Sequence, residues 1–219
     1  MRWRHPSRGL IPPDQFIPLA EETGLIVPLG EFVLRRACED AAGWPSGLAV
    51  AVNLRPILFK EAELFEMICA ALADSGLPPE RLEIEITESV LLERGVENLA
   101  FMERLKQLGI ELALDDFGTG YSSLSYLTTF PFDKIKIDKS FIRNLTHQPR
   151  SSAIIASIVT LARGLDMSVT AEGVETCEEF ERLKALGVNF AQGYLFGRPQ
   201  PVGQIAFDES VRPSQRDAA

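Results

Sequence analysis

From position 48 onward, short apolar runs that end in a polar residue alternate with longer segments of helical period. That alternation is the sequence form of repeated βα units around a parallel sheet. Six such runs can be counted, over 48–53, 82–87, 111–115, 134–138, 168–172 and 189–192. The spacing predicts helices between them over 62–75, 97–108, 151–164 and 177–186, with Gly76, Gly109 and Gly187 where a helix stop is expected. Ahead of the first run, 14–22 (introduced by Pro12 and Pro13) and 31–42 read as two further helices, preceded at most by a strand stub over 1–4. No repeat or linker divides the chain, so the pattern predicts one α/β domain over 1–208 and a polar tail over 209–219.

Side chains alternate across a strand, so residues of one parity share a face, and in a barrel one face points at the axis. In the second run Leu82, Ile84 and Ile86 face the helices, which leaves Glu83 and Glu85 inward. In the third, Leu112 and Leu114 face out while Ala113 and Asp115 face in; in the fourth, Ile135 and Ile137 face out and Lys136 in. Extending the pattern to Asn53, Glu172 and Gln192 aims six polar groups from six strands at the carboxyl ends, where parallel barrels build their sites. Asp116 adds a further carboxylate. Burying so many acids costs several kcal/mol per ion unless a positive charge compensates, and Lys136 alone does not suffice. Carboxylates with an Asn amide suit hard divalent cations, Mg²⁺ or Mn²⁺, with Asp115 placed to bridge a pair. Taken singly, each residue reads equally well as a solvated strand-end charge; six in one parity do not.

Composition narrows the options. The chain has 219 residues, 46% hydrophobic and 24% charged, with a net charge of −9. That balance argues against a general nucleic-acid binder, which relies on clustered Lys and Arg. A phosphate ligand here needs a local positive charge. Cys38, Cys69 and Cys177 lack paired spacing, so they read as small buried hydrophobes and not as a disulfide or zinc framework. His5 and His147, in polar Pro-flanked segments, read as solvent-facing. No run approaches the roughly 18 apolar residues of a membrane span, and the opening residues lack a signal-peptide core, so the segment is expected in the cytoplasm without membrane contact. The Gly-rich stretch from Asp115 to Ser123 is a loop beside a ligand or metal, but it lacks the Gly-Lys-Ser/Thr ending of a P-loop.

Six motifs then stand in one order: Val52-Asn53-Leu54, Glu85-Ile-Thr-Glu88, Asp115-Asp-Phe-Gly-Thr-Gly-Tyr-Ser-Ser-Leu124, Asp133-Lys-Ile-Lys-Ile-Asp138, Ala171-Glu-Gly-Val-Glu175 and Ala191-Gln-Gly-Tyr194. In that order and spacing the chain resembles the EAL domain family of bacterial signalling proteins. The resemblance implies a modified TIM barrel, an α/β fold, that hydrolyses cyclic di-GMP to the linear dinucleotide pGpG with two Mg²⁺ or Mn²⁺ ions. It implies Asn53, Glu85, Asp115, Asp116 and Glu172 as metal ligands and Lys136 as the group that holds the attacking water. Gln192 would assist there, and Glu88 would brace the loop of Phe117, Gly118, Thr119 and Gly120. Arg2, Asp138 and Glu175 would contact substrate, and a homodimer would form through the loop region.

The resemblance has one gap. The family's first strand and the Glu-Ala-Leu of its second, whose Glu is a metal ligand, have no counterpart here; Met1-Arg-Trp-Arg-His-Pro6 matches only the continuation of that second strand. Six strands counted plus two missing make the eight of a closed barrel. The expectations are therefore a barrel incomplete at its start, from a start site inside a longer reading frame or from a truncated product, and activity reduced by orders of magnitude. Two rival readings remain: a module that binds cyclic di-GMP without cutting it, and a Schiff-base lyase using Lys136.

Overall fold

The structure, a computed structural model, describes residues 1–60, 63–92, 95–118, 124–143, 145, 148–205 and 207. A hairpin of β1 (Trp3–His5) and β2 (Gly9–Ile11) leads into α1 (Pro13–Glu22) and α2 (Ile26–Ala42). The repeating part follows: β3 (Val50–Leu54), α3 (Leu64–Ser75), β4 (Leu82–Thr87), α4 (Glu88–Leu92), α5 (Gly95–Leu108), β5 (Glu111–Phe117) and α6 (Leu124–Thr129). It closes with β6 (Lys134–Ile137), α7 (Lys139–Ile142), α8 (Pro149–Gly164), β7 (Ser168–Glu172), α9 (Cys177–Ala185) and β8 (Phe190–Gln192). Strands β3 to β8 form one six-stranded sheet in sequence order, every pair parallel. Among the described residues β3 and β8 are its two edges, so the fold is an incomplete TIM-barrel-like α/β sheet.

The strand parity explains the core. Leu82, Ile84, Ile86, Leu112, Leu114, Ile135 and Ile137 are almost wholly buried, and they pack with Leu34, Ile68, Met102 and Leu105 from the helices. Each such side chain contributes about 1.5–3 kcal/mol of burial, enough to commit the opposite parity to the interior of the curve. Gly76, Gly109 and Gly187 all have positive φ, as helix-stop residues should.

The structure departs from the sequence pattern in four places. The stub at 1–4 does not join the parallel sheet: Trp3–His5 pairs antiparallel with Gly9–Ile11 in a sheet of its own. The cause is a tight turn, in which His5 Nδ1 accepts hydrogen bonds from the backbone N–H of Ser7 (3.2 Å) and Arg8 (3.3 Å). His5 is thus a turn brace and not simply solvent-facing; His147 lies outside the described residues. Helix α2 begins at Ile26, ahead of 31, because Pro28 falls in its first turn, where a missing N–H is harmless. Helices α4, α6 and α7 span six residues or fewer, too short to show a period. Cys38 is buried, with its thiol pushed up to about 11 by burial, but Cys177 opens α9 and is exposed, contrary to the expected burial. No described helix is long and apolar enough to cross a membrane.

Candidate metal centre

Strands β4, β5, β6 and β7 deliver the site. Register places Asn53 opposite Glu85, Thr87 opposite Asp115 and Glu172 opposite Gln192, so the polar residues lie at neighbouring levels near the carboxyl ends. Glu85, Asp115 and Lys136 are 5%, 7% and 3% exposed. Lys136 stands at the centre: its Nζ lies 2.5 Å from Glu85 Oε1, 2.6 Å from Glu172 Oε1 and 3.0 Å from Asp115 Oδ1. The Asp115 contact is an ion pair and not a hydrogen bond, since Oδ1 is buried and no donor among the described residues is aligned on it. Glu85 Oε2 accepts from the Asn53 amide, so both oxygens of Glu85 are engaged.

Asp116 enters the site through a backbone irregularity. Consecutive strand residues point to opposite faces, which would send Asp116 away from Asp115. The β5–β6 register shifts between Leu114 and Phe117, and Asp116 takes φ of 54°, in the left-handed region. With that turn, carboxylate oxygens of Asp115, Asp116 and Glu172 all lie within 4.8 Å of one another. Left-handed backbone costs a non-glycine residue about 1–2 kcal/mol, Asp being among the more tolerant. An all-oxygen donor set, three converging carboxylates and a buried Asp115 oxygen without an aligned donor fit a hard divalent cation.

Charge on the groups follows their surroundings. Burial pushes the Glu85 carboxyl above its ordinary value; Lys136 opposes this, and Asp115 and Glu83 add to it. Burial likewise raises Glu172 against the pull of Lys136, with Asp115 and Asp116 assisting. Asp116 is raised by burial, then by Asp115 and Asp138. For Lys136 burial opposes the charge, but Glu85, Asp115 and Glu172 outweigh it and hold the ammonium protonated beyond its usual range. That is the wrong form for a Schiff-base lysine, which must be a neutral amine.

A second lysine was missed by the sequence reading. Lys134 shares the inward parity of Lys136 one level below, and its ammonium pairs with Glu83 and lies 3.8 Å from Glu111. Parity could have located it, but only the fold shows which acids it meets. Two ammonium groups, one per level, thus offset the inward acids that Lys136 alone could not.

The other predicted residues are placed unevenly. Glu88, at the start of α4, accepts a hydrogen bond from Gly118 N–H at 3.1 Å, and Phe117 is buried beside it. Thr119 and Gly120 lie outside the described residues. Gln192 is exposed on edge strand β8, and Asn53 is exposed on edge strand β3. Asp138 caps α7 by accepting from Ser140 N–H at 2.9 Å; although burial acts upward on it, those hydrogen bonds hold its carboxyl below the ordinary value. Glu175 is exposed, its N–H donating to Glu179. Arg2 is not brought to the cluster: it is exposed and its guanidinium reaches the Met1 carbonyl. A groove of about 640 Å³ runs from Asn53, Thr87, Asp115 and Asp116 along α2, with Arg36 and Arg55 on its wall.

Comparison with known proteins agrees with this geometry. The bifunctional diguanylate cyclase/cyclic di-GMP phosphodiesterase MucR of Pseudomonas aeruginosa is 44% identical over 209 residues, covering 94% of this chain and 30% of that protein. The solved structure "PaMucR Phosphodiesterase, c-di-GMP complex" superposes with a TM-score of 0.88 at 44% identity, over 93% of this chain and 84% of that one. The Klebsiella pneumoniae BlrP1 manganese/cy-diGMP complex gives a TM-score of 0.78 at 35% identity, over 90% of this chain and 50% of that one. The chain spans about a quarter of the length of curated relatives it matches. The EAL domain profile matches residues 1–199. On the six parallel strands, the converging carboxylates and this match, the chain belongs to the EAL domain family.

Proposed function

We propose that this domain hydrolyses cyclic di-GMP to linear pGpG with two divalent cations, Mg²⁺ or Mn²⁺. The observation that carries the reading is the convergence of Asp115, Asp116 and Glu172 beside the Asn53–Glu85 pair. Asn53, Glu85 and Asp115 would hold one cation, and Asp115, Asp116 and Glu172 the other. Such a pair lowers the pKa of water and neutralises phosphoryl oxygens, which also lets a protein of net charge −9 hold a dianion.

The chain's own groups orient the reaction. Lys136, kept protonated, donates a hydrogen bond to the attacking water and cannot take a proton from it. Glu88 holds the Gly118 amide and so fixes the turn that presents Asp116. Gln192 assists from the edge of the sheet, Asp138 and Glu175 contact the dinucleotide, and Arg2 would do so only by leaving the Met1 carbonyl at the rim of the groove. Pairing of two copies through the segment after Phe117, and residence in the cytoplasm, where this messenger and free cysteines belong, complete the reading.

The test is chromatography of cyclic di-GMP incubated with the protein and Mn²⁺. The expected product is pGpG, absent with EDTA and reduced by about 100-fold or more in Asp115→Asn. Binding of cyclic di-GMP without cleavage under those conditions would establish a receptor module instead.

A further inference from the structure

Both oxygens of Glu85 are already engaged, Oε1 by Lys136 and Oε2 by Asn53, and Lys136 also holds one oxygen each of Asp115 and Glu172. We infer that Lys136 is an internal rival of the cation: it holds one oxygen each of Glu85, Asp115 and Glu172, so a cation that binds those same oxygens displaces the ammonium from them. The inference rests on reading these carboxylates as cation ligands.

The physical case is one of exclusion and charge. Lys136 Nζ lies 2.5 Å from Glu85 Oε1, 2.6 Å from Glu172 Oε1 and 3.0 Å from Asp115 Oδ1, so an ion bound to those three oxygens at about 2.0–2.2 Å would have to enter the space the ammonium fills. Two buried carboxylates and a part-buried third around one site need a counter-charge, which either the ammonium or the cation supplies. The side chain of Lys136 is 4% exposed, so the ammonium is enclosed among these carboxylates. Below it, Lys134 holds Glu83 and closes that direction. A shift toward the mouth would bring the ammonium to the place beside the reacting water that the proposed function gives it. Vacating the ligands and arriving at its catalytic place are then one motion.

Mn²⁺ affinity, measured by calorimetric titration without substrate, and thermal denaturation with and without Mn²⁺ test the inference. Lys136→Met keeps stem volume and removes the rival. It is expected to bind Mn²⁺ about tenfold or more tighter than the native chain, to melt lower without Mn²⁺, and to regain more on adding it. Lys139→Met is the control for mere loss of a nearby positive charge: Lys139 is exposed, and its charge reaches Asp116. It should change affinity by less than about threefold.

Equal gains in the two variants, or Mn²⁺ binding no tighter in Lys136→Met, would overturn the rivalry while leaving the ligand reading intact. Absence of Mn²⁺ binding in both the native chain and Lys136→Met would overturn both. If Lys136→Met folds only with Mn²⁺, the cation is replacing the ammonium, as inferred. If it stays unfolded even with Mn²⁺, the replacement does not occur and the inference fails.

Discussion

Asp116 shows at the scale of one residue how a site is assembled against local preference. Its left-handed backbone is unfavourable for any residue with a Cβ, yet without it the carboxylate would leave the cluster. The domain therefore gives up some stability to hold a third acid beside Asp115 and Glu172. Asp116→Gly should raise cation-free stability by about 1 kcal/mol, since glycine adopts this conformation freely. The same change should weaken Mn²⁺ binding by about 10–100-fold. Denaturant unfolding and a Mn²⁺ titration check the two halves, and a variant that is no more stable than the native chain would refute the strain.

At the scale of elements, the chain just past β7 and β8 leaves no room for a side chain. Val174 N–H donates to the Gln192 carbonyl at 3.0 Å, and Leu195 N–H donates to the Val174 carbonyl at 3.0 Å. A Cβ on Gly193 would overlap the backbone of Val174 itself, which has nowhere to move between those two bonds. Gly193→Ala should cost about 3 kcal/mol or more, read as a lower thermal midpoint, with faster amide exchange in β8 than in β4. An unchanged midpoint would show that the junction yields. Elements also mark what the sequence could reveal. Strand existence and inward parity were legible because Leu and Ile alternate with acids on β4, with Glu, Ala and Asp on β5 and with lysines on β6. The β1–β2 hairpin was not, because a turn braced by His5 Nδ1 has no hydrophobic period. The fit of Asp116 was not, because a single φ leaves no trace in a polar pattern. Lys134 was visible as a parity match, but its partners depend on the register of β4 against β6 through β5, which sequence spacing does not fix.

At the scale of the whole molecule, the site makes cation binding and pH two faces of one equilibrium. Glu85 and Glu172 have carboxyl groups raised chiefly by burial. A carboxyl raised on folding supports the native state fully below its unfolded pKa of about 4, and that support is lost as pH rises through the raised value. Without a cation these two acids therefore weaken the fold toward neutral pH, and a cation, which binds their ionised forms, reverses the loss. The gain in thermal midpoint from Mn²⁺ should be large at pH 8 and shrink steadily toward pH 5; a gain independent of pH would refute this account. The placement of Lys134 and Lys136 on one four-residue strand has a last consequence, for the order of assembly. Glu83, Glu85 and Glu111 belong to β4 and β5, but their counter-charges arrive only with β6. Closing β4 against β5 in a dry interior before then would strand acids at several kcal/mol each. The nascent sheet must stay wet along that face until its short sixth strand docks, so β6 sets the moment at which water leaves.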